Sequence, residues 1–337
     1  MRSGILAGGN WIIDHVKVVD AWPAQDSLAS ILSESASNGG APYNVLKDLA
    51  RMRAPFPLEA AGLIGDDADG RRILDDCRAN GIDIAQLHNT GTAATSYSDV
   101  MTDRSTGRRT FFHLRGANAL LAPEHFDFSR SNAKIFHLGY LLLLDCLDAF
   151  GSDGLTGSAN VLRAARAAGL RTSLDCVSDN SDRFKAVAAP ALPHVDCFFA
   201  NDFEAARLTG VSLHDDASRD PAALGAAARR LLDAGVGEWV FVHSSHGVFA
   251  ASAGGEIWQS AVRVPPAEIK GAAGAGDALA AGILLGLHED WSIADCVRLG
   301  VCAAAASLHD ATCSAGVLPL DDCLQLGARF GFYPDVP

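Results

Sequence analysis

The sequence predicts an α/β fold of three layers, α/β/α, with a mostly parallel central sheet and a small β-sheet lid. Short apolar runs alternate along the chain with longer Ala-, Leu- and Arg-rich stretches of helical periodicity. This strand–helix alternation is typical of a parallel sheet covered by helices on both faces. Two stretches break the rhythm with alternating polar and apolar residues, as in a half-exposed sheet. We therefore look for a ligand site at the carboxyl ends of the parallel strands.

The alternation is clearest in the middle of the chain. The run 135–141 (IFHLGYL) predicts a strand, and 158–169 predicts an amphipathic helix that ends at a glycine. Further strands are predicted over 172–176, 195–200 and 239–242, with a helix over 221–234. The lid segments are 14–37 and 90–114, and the second contains a hairpin with its turn near 105–107. We expect a single domain over 1–337 that carries this lid.

Composition argues against several classes of protein. With 27 Lys and Arg against 40 Asp and Glu, the formal net charge of −13 disfavours nucleic acid or an anionic membrane as the partner. Eight cysteines are scattered without a CxxC pair, which argues against a disulfide framework or a zinc site. The longest apolar runs, 138–144 and 278–287, are shorter than the ~18–20 residues that span a bilayer, and no signal-peptide pattern is seen. We expect a cytoplasmic protein that binds small molecules.

The strongest chemical signal is a glycine-rich turn that leads into a helix. The turn runs from Gly271 through Gly274, Ala275 and Gly276, and Asp277 follows in the first helical turn. Glycines let a ligand approach the backbone, and a helix N-terminus attracts the charge of a phosphoryl group. Asp277 could take the proton of an attacking hydroxyl. The alternative is a tight turn in which the aspartate only caps the helix.

Two further patterns lie before predicted helices. Gly39 and Gly40 precede a helix that begins at Pro42 and carries Asn44 in its first turn, although a Gly-Gly pair is also a common loop device. Asn201 and Glu204 lie at i and i+3 on one helical face and could hold a hydrated Mg²⁺. The alternative for this second pair is a capping box at a helix N-terminus.

Taken in order, these patterns resemble the PfkB-type (ribokinase-like) carbohydrate kinases. The chain has GGxxxN at 39–44, GxxGxDxxG at 62–70, NxxE at 201–204, and GAGD at 274–277 followed by AxxAG. The resemblance covers about residues 5–320. Each motif alone is weak, but four in this order are specific. The resemblance implies a ribokinase-like fold and MgATP-dependent phosphorylation of a hydroxyl on a small sugar or sugar acid.

The resemblance also implies a role for each matching residue. Asp277 would be the general base, and Gly274, Ala275 and Gly276 would form the anion hole for the γ-phosphate. Asp14, Gly39, Gly40 and Asn44 would hold the sugar. Asn201 and Glu204 would act around the triphosphate and the magnesium, which they would reach through water, and Gly247 would lie on the adenine side.

Two departures from the family pattern affect the expected cofactors. Many relatives have Asp-Thr-Thr before GAGD, whereas this chain has Gly271, Ala272 and Ala273, whose side chains carry no oxygen. Activation by a monovalent cation such as potassium is therefore in doubt. The adenine-side motif Thr-Leu-Gly-x-x-Gly is replaced by Val-His-Ser-Ser-His-Gly over 242–247, which retains the last glycine alone. The nucleotide contacts there, and the choice of ATP as donor, stay open.

The second lid segment is expected to set substrate choice. Arg115, in HLRGAN, could bind a carboxylate or phosphate, which favours a sugar acid such as 2-keto-3-deoxygluconate or a phosphorylated sugar. The alternative is an arginine in solvent. Exposed lid strands suggest a homodimer formed through the lids. Two other functions stay open, namely a nucleoside kinase of the same fold and a non-catalytic sugar-sensing relative.

Overall fold

The computed structural model describes residues 2–213 and 220–334. Its central sheet has nine strands, and in sequence order they are β1 Ile5–Gly9, β4 Leu58–Gly65, β5 Ile82–Thr90, β8 Ile135–Leu141, β9 Arg171–Cys176, β10 Cys197–Asn201, β11 Trp239–Ser244, β12 Gly247–Ser252 and β13 Gly255–Ser260. Their spatial order is β13-β12-β11-β10-β9-β8-β1-β4-β5. All pairs are parallel except β11–β12 and β12–β13. The predicted mostly parallel sheet is confirmed.

Helices cover both faces of this sheet. They are α1 Ala41–Arg51, α2 Ala68–Ala79, α3 Asp145–Asp148, α4 Gly157–Ala167, α5 Phe184–Ala188, α6 Asp202–Thr209, α7 Pro221–Asp233, α8 Ala275–His288, α9 Ile293–Ser307 and α10 Leu320–Phe330. The buried side chains of α1, α2 and α8–α10 form one core, and those of α4–α7 form the other. The three predicted layers are therefore present. Among the described helices, none is long and apolar enough to cross a membrane.

A separate four-stranded sheet forms the lid. Its strands are β2 Ile12–Val19, β3 Ile31–Gly39, β6 Ser96–Asp103 and β7 Arg109–Leu114, in the order β3-β2-β6-β7. The predicted hairpin is confirmed, because β6 and β7 pair antiparallel around a turn. The Asp103 carboxylate accepts the backbone N–H groups of Ser105 and Thr106 at 2.8 and 2.9 Å, which closes that turn.

The lid is connected directly to the centre of the core. β2 begins three residues after β1 ends, and β3 runs into α1 through Gly40. Gly40 has φ +88° and packs against the Asn10 carbonyl, which leaves no space for a side chain. Because Asn10 links β1 to β2, the outgoing and returning chains of the lid touch at the carboxyl edge of the central sheet.

Candidate active site

Four neighbouring strands of the central sheet place polar side chains at their carboxyl ends. Tyr140, Asp175 and His243 are the penultimate residues of β8, β9 and β11, and Asn201 is the last residue of β10. Asn201 lies in register with His243 on the adjacent strand. The N-terminus of α8 meets this edge. The site therefore lies where the strand–helix alternation predicts it.

Asp277 is at the centre of the site, in the first turn of α8, and is 5% exposed. Its carboxylate accepts the Asn44 Nδ2–H at 2.7 Å and the Tyr140 hydroxyl, whose oxygen is 2.9 Å from both carboxylate oxygens. Burial and the nearby charge of Asp175 raise the pKa of Asp277 to about 7, while the Asn44 and Tyr140 hydrogen bonds lower it. A carboxyl group with a pKa near neutral can take a proton at physiological pH.

Asp175 and His137 form a buried pair behind Asp277. The His137 Nε2 atom is 3.5 Å from the Asp175 carboxylate, and its Nδ1 atom is 2.9 Å from the Ser173 hydroxyl. Burial raises the pKa of Asp175, and His137 lowers it. Asp175 therefore acts on Asp277 through its charge, since neither oxygen bonds to Asp277 in the described contacts.

The predicted anion loop packs closely against the chain near Cys313. Gly274 has φ +76°, and a Cβ at this position would lie 2.5 Å from the Cys313 carbonyl oxygen. An L-residue is therefore excluded by conformation and by space. Ala275 and Gly276 follow as the first residues of α8, where backbone N–H groups lack partners within the helix. This loop can bind an anion beside Asp277.

One of the residues predicted to hold the sugar, Asn44, contacts Asp277 directly. A Cβ on Gly39 would lie 2.7 Å from the Asp14 carboxylate, so Gly39 keeps the space that Asp14 occupies. Asn38 donates to the Asn44 side-chain oxygen at 2.7 Å, which orients the Asn44 amide toward Asp277. Burial raises the pKa of Asp14 to about 6.

Asn201 and Glu204 form the capping box of α6. The Asn201 side chain accepts the Glu204 N–H at 2.9 Å, and Glu204 accepts the Asn201 N–H at 3.0 Å. The Ser178 hydroxyl donates to Glu204 at 2.8 Å. Even so, burial raises the pKa of Glu204 to about 8. Because no cationic side chain contacts this carboxylate in the described contacts, a bound cation would stabilise its ionised form.

Two clefts open onto this edge. The carboxylate cleft, of about 230 Å³, is lined by Asp277, Asp175, Tyr140, Asn201 and Glu204 among others. The apolar cleft, of about 440 Å³, is lined by Val262, Val264, Leu279, Val301, Leu308 and Tyr333 together with Gly247. One cleft suits reacting polar groups, and the other suits a flat apolar ring. Burial lowers the pKa of His243, between them, to about 4, so its imidazole is neutral at pH 7.

Arg115 and Arg109 occupy different environments. Arg115 donates to the Leu142 carbonyl at 2.9 Å and to the Asp145 carboxylate at 2.7 Å, and neither cleft, as formed by the described residues, is lined by it. Arg109, on β7, reaches across to the Ala311 carbonyl at 3.2 Å. Its charge is among the influences that lower the pKa of Asp14 against the effect of burial. Arg109 is thus a lid arginine whose charge acts on Asp14, one of the residues predicted to hold the sugar.

Sequence reasoning did not select Tyr140, Asp175 or His243. Each lies one residue before the end of a predicted or observed strand. A polar residue at the carboxyl end of a parallel strand is the signal that could have found them.

The sequence profile of the pfkB family of carbohydrate kinases matches residues 5–319. The chain belongs to this family. An ATP-dependent ribose-1-phosphate kinase from Halopiger xanaduensis is 29% identical over 205 residues, which cover 60% of this chain and 63% of that protein. A probable fructokinase-7 from Arabidopsis thaliana is 31% identical over 144 residues, which cover 42% of this chain and 40% of that protein. The chain thus matches less than two thirds of the length of either relative.

Solved structures agree on the fold. The ribokinase of Arabidopsis thaliana, complexed with ribose and ATP, has a TM-score of 0.78 at 21% identity, covering 97% of this chain and 99% of that one. The nucleoside kinase of Methanocaldococcus jannaschii has a TM-score of 0.74 at 17% identity, covering 97% and 98%. The predicted ribokinase-like fold is confirmed.

Proposed function

We propose that this protein transfers the γ-phosphoryl group of MgATP to a hydroxyl of a small sugar or sugar acid. The observation that carries the proposal is the buried Asp277 carboxyl group, with its pKa near 7, beside a glycine loop at a helix N-terminus. A proton acceptor next to an anion site is the arrangement that phosphoryl transfer requires, and this supports the proposal.

In the proposed step, Asp277 removes the proton from the acceptor hydroxyl as its oxygen forms a bond to the γ-phosphorus. The bond between that phosphorus and the oxygen bridging to the β-phosphate breaks, and ADP leaves with the electron pair. Gly274, Ala275 and Gly276 stabilise the charge on the transferred group. Asn44 fixes the orientation of the Asp277 carboxylate, and Tyr140 must release it or move with it when the acceptor hydroxyl arrives.

Asn201 and Glu204 would hold a magnesium ion through water. The fit is supported by the raised pKa of Glu204, because this buried carboxylate lacks a cationic partner in the described contacts. When bound, the ion would neutralise charge on the triphosphate. For potassium the sequence offers no side-chain oxygen at Gly271, Ala272 or Ala273, and we expect activity without it.

The acceptor is proposed to be held by Asp14, Gly39, Gly40 and Asn44. An anionic acceptor, such as a sugar acid or a phosphorylated sugar, would be favoured by Arg109 at the acceptor side. The Halopiger xanaduensis relative is a kinase of ribose 1-phosphate, which is an acceptor of this kind. Arg115 stays the predicted alternative for the same role, although its guanidinium is engaged by Asp145.

The test is release of ADP from MgATP, coupled to an optical readout, over pentoses, hexoses, sugar acids, sugar phosphates and nucleosides. Asp277→Asn should lower kcat about 100- to 10,000-fold, as loss of a general base does. Asp295→Asn is the matched control, because Asp295 also lies in the first turn of a helix but at α9. Turnover of nucleosides alone would indicate a nucleoside kinase. Sugar binding without turnover would indicate a sensing protein.

We further propose that two copies associate through their lids in the cytoplasm, where ATP is available. Large apolar side chains stay exposed on the lid sheet, and they are Ile31, Leu32, Phe111, Phe112 and Leu114. Apolar groups on exposed strands favour an interface between chains. Light scattering should give twice the monomer mass, and Phe111→Glu with Phe112→Glu should give the monomer mass.

A further inference from the structure

The passage between the two clefts is formed by a histidine. Of the described residues that line the carboxylate cleft and the apolar cleft, His243 and Gly276 line both. The imidazole packs against the first turn of α8, since a Cβ on Gly276 would lie 3.3 Å from the His243 Cε1 atom and 3.5 Å from its Nε2 atom. A ligand that extends from one cleft into the other must pass this ring.

Within the part of the chain that the structure describes, the His243 imidazole has no partner. Among the residues that the structure describes, no side chain or backbone group hydrogen-bonds its nitrogens or forms an ion pair with it, and burial alone shifts its pKa. A neutral imidazole has one N–H donor and one acceptor nitrogen. A half-buried polar ring without a partner is costly unless a ligand or water satisfies it.

The described residues that line the two clefts offer no cationic side chain to an anionic ligand. The carboxylate cleft contains Asp277, Asp175 and Glu204, and neither cleft, as far as the described residues define them, is lined by a lysine or an arginine. Apart from the magnesium ion proposed at Asn201 and Glu204, a phosphate chain that crosses this region therefore depends on neutral donors. These are the backbone N–H groups of the anion loop and the imidazole N–H.

We infer that His243 binds the phosphate chain of the nucleotide between a base in the apolar cleft and the γ-phosphate on the anion loop, an inference that rests on the proposed function. The imidazole donates one hydrogen bond to a non-bridging phosphate oxygen. His243 thereby supplies a contact in a loop whose family motif is otherwise lost over 242–247.

The test measures nucleotide affinity by calorimetry rather than activity. The non-hydrolysable analogue AMP-PNP with Mg²⁺, ADP, and adenosine are titrated into the wild type, His243→Ala, His243→Asn and the control His194→Ala. His194 precedes β10 and so lies near the amino end of that strand, away from the carboxyl end where the clefts open. Loss of a hydrogen bond to a charged group should weaken AMP-PNP and ADP about 10- to 100-fold in His243→Ala. Adenosine should change less than about 3-fold, and His243→Asn should restore most of the loss because its amide can donate.

The calorimetric results distinguish failure of the His243 assignment from failure of the proposed function. Unchanged AMP-PNP affinity in His243→Ala, with normal wild-type binding, overturns the assignment of His243 alone. Equal weakening of adenosine and AMP-PNP also overturns it, because the ring would then serve the base. A wild type that binds none of the three nucleotides overturns the proposed function itself.

A second measurement tests the role of His243 even if His243→Ala fails to fold. In wild-type protein with ¹⁵N-labelled histidine, the imidazole resonance that is absent from His243→Asn should shift on addition of AMP-PNP and stay fixed on addition of adenosine. The reverse pattern overturns the inference.

Discussion

The Tyr140 hydroxyl should control the pH at which Asp277 works. The hydroxyl donates to the Asp277 carboxylate, and its oxygen is 2.9 Å from both carboxylate oxygens. Burial raises the pKa of Tyr140 itself well above its usual range, so the hydroxyl stays protonated and can donate at any working pH. Replacing Tyr140 with phenylalanine removes this donor and keeps the ring.

The change in the pKa of Asp277 corresponds to the loss of one hydrogen bond, because the single proton of the Tyr140 hydroxyl is shared between the two carboxylate oxygens. A hydrogen bond to a charged group contributes about 1.5–3 kcal/mol, which corresponds to about 1–2 pKa units. The pKa of Asp277 should therefore rise from about 7 by that amount, because the donor stabilises the ionised form. At pH 7 the ionised fraction would fall from about one half to about 1–10%.

The assay is the pH profile of kcat/KM, which reports ionisations of the free enzyme. In the wild type, kcat/KM should rise with pH, reach half its maximum near pH 7 and level off above about pH 8. In Tyr140→Phe this limb should move to higher pH, so that activity at pH 7 falls about 5- to 50-fold and recovers near pH 9. Tyr43→Phe is the matched control, since the Tyr43 hydroxyl donates to a different carboxylate, that of Asp76, at 2.6 Å. A Tyr140→Phe profile that superimposes on the wild type would refute this reasoning.

Three further predictions concern stability and the cation. As pH rises from 4 to 8, the free energy of unfolding of Asp277→Asn should increase relative to that of the wild type by about 2–4 kcal/mol, measured by urea unfolding. The reason is that the wild-type Asp277 carboxyl group ionises near pH 7 in the folded protein but near pH 3.8 in the unfolded chain, so its ionisation destabilises the folded state. A difference that stays constant with pH would contradict this prediction. Gly274→Ala should lower Tm and abolish turnover, because the added Cβ would clash with the Cys313 carbonyl. Its control is Gly210→Ala, since Gly210 has a similar φ of +73° but lies in open space, and this change should lower the free energy of unfolding by only about 1 kcal/mol and leave kcat unchanged. Glu204→Gln should keep the capping box but raise the Mg²⁺ concentration for half-maximal activity about 10- to 100-fold, and an unchanged magnesium titration would exclude Glu204 from the cation site.

Local patterns in the sequence were sufficient to predict the layers of the fold and the lid hairpin. The alternation of runs predicted the parallel sheet, and the 105–107 turn predicted the β6–β7 hairpin. The strand predicted over 195–200 is observed as Cys197–Asn201, because pairing with β11 and β9 sets its limits. Asn44 and Asp277 were both selected as site residues, and they contact each other across 233 positions of the chain.

Contacts that depend on long-range order could not be predicted in this way. Tyr140 lies in an apolar run, and its position over Asp277 follows from where β8 lies in the sheet relative to α8. In the same way, the pairing of β7 with β6 and the packing of the lid on the core determine that Arg109 contacts the Ala311 carbonyl while Arg115 contacts Asp145. Spacing along the chain carries no information about either outcome.

The lid is formed by two separate inserts in the sequence, one between β1 and α1 and one after β5. Asp14 and Arg109 belong to these inserts, whereas Asp277 and its loop belong to α8, more than 150 positions later. If the proposed function holds, substitutions within the inserts should change acceptor preference while Asp277 and the anion loop stay unchanged.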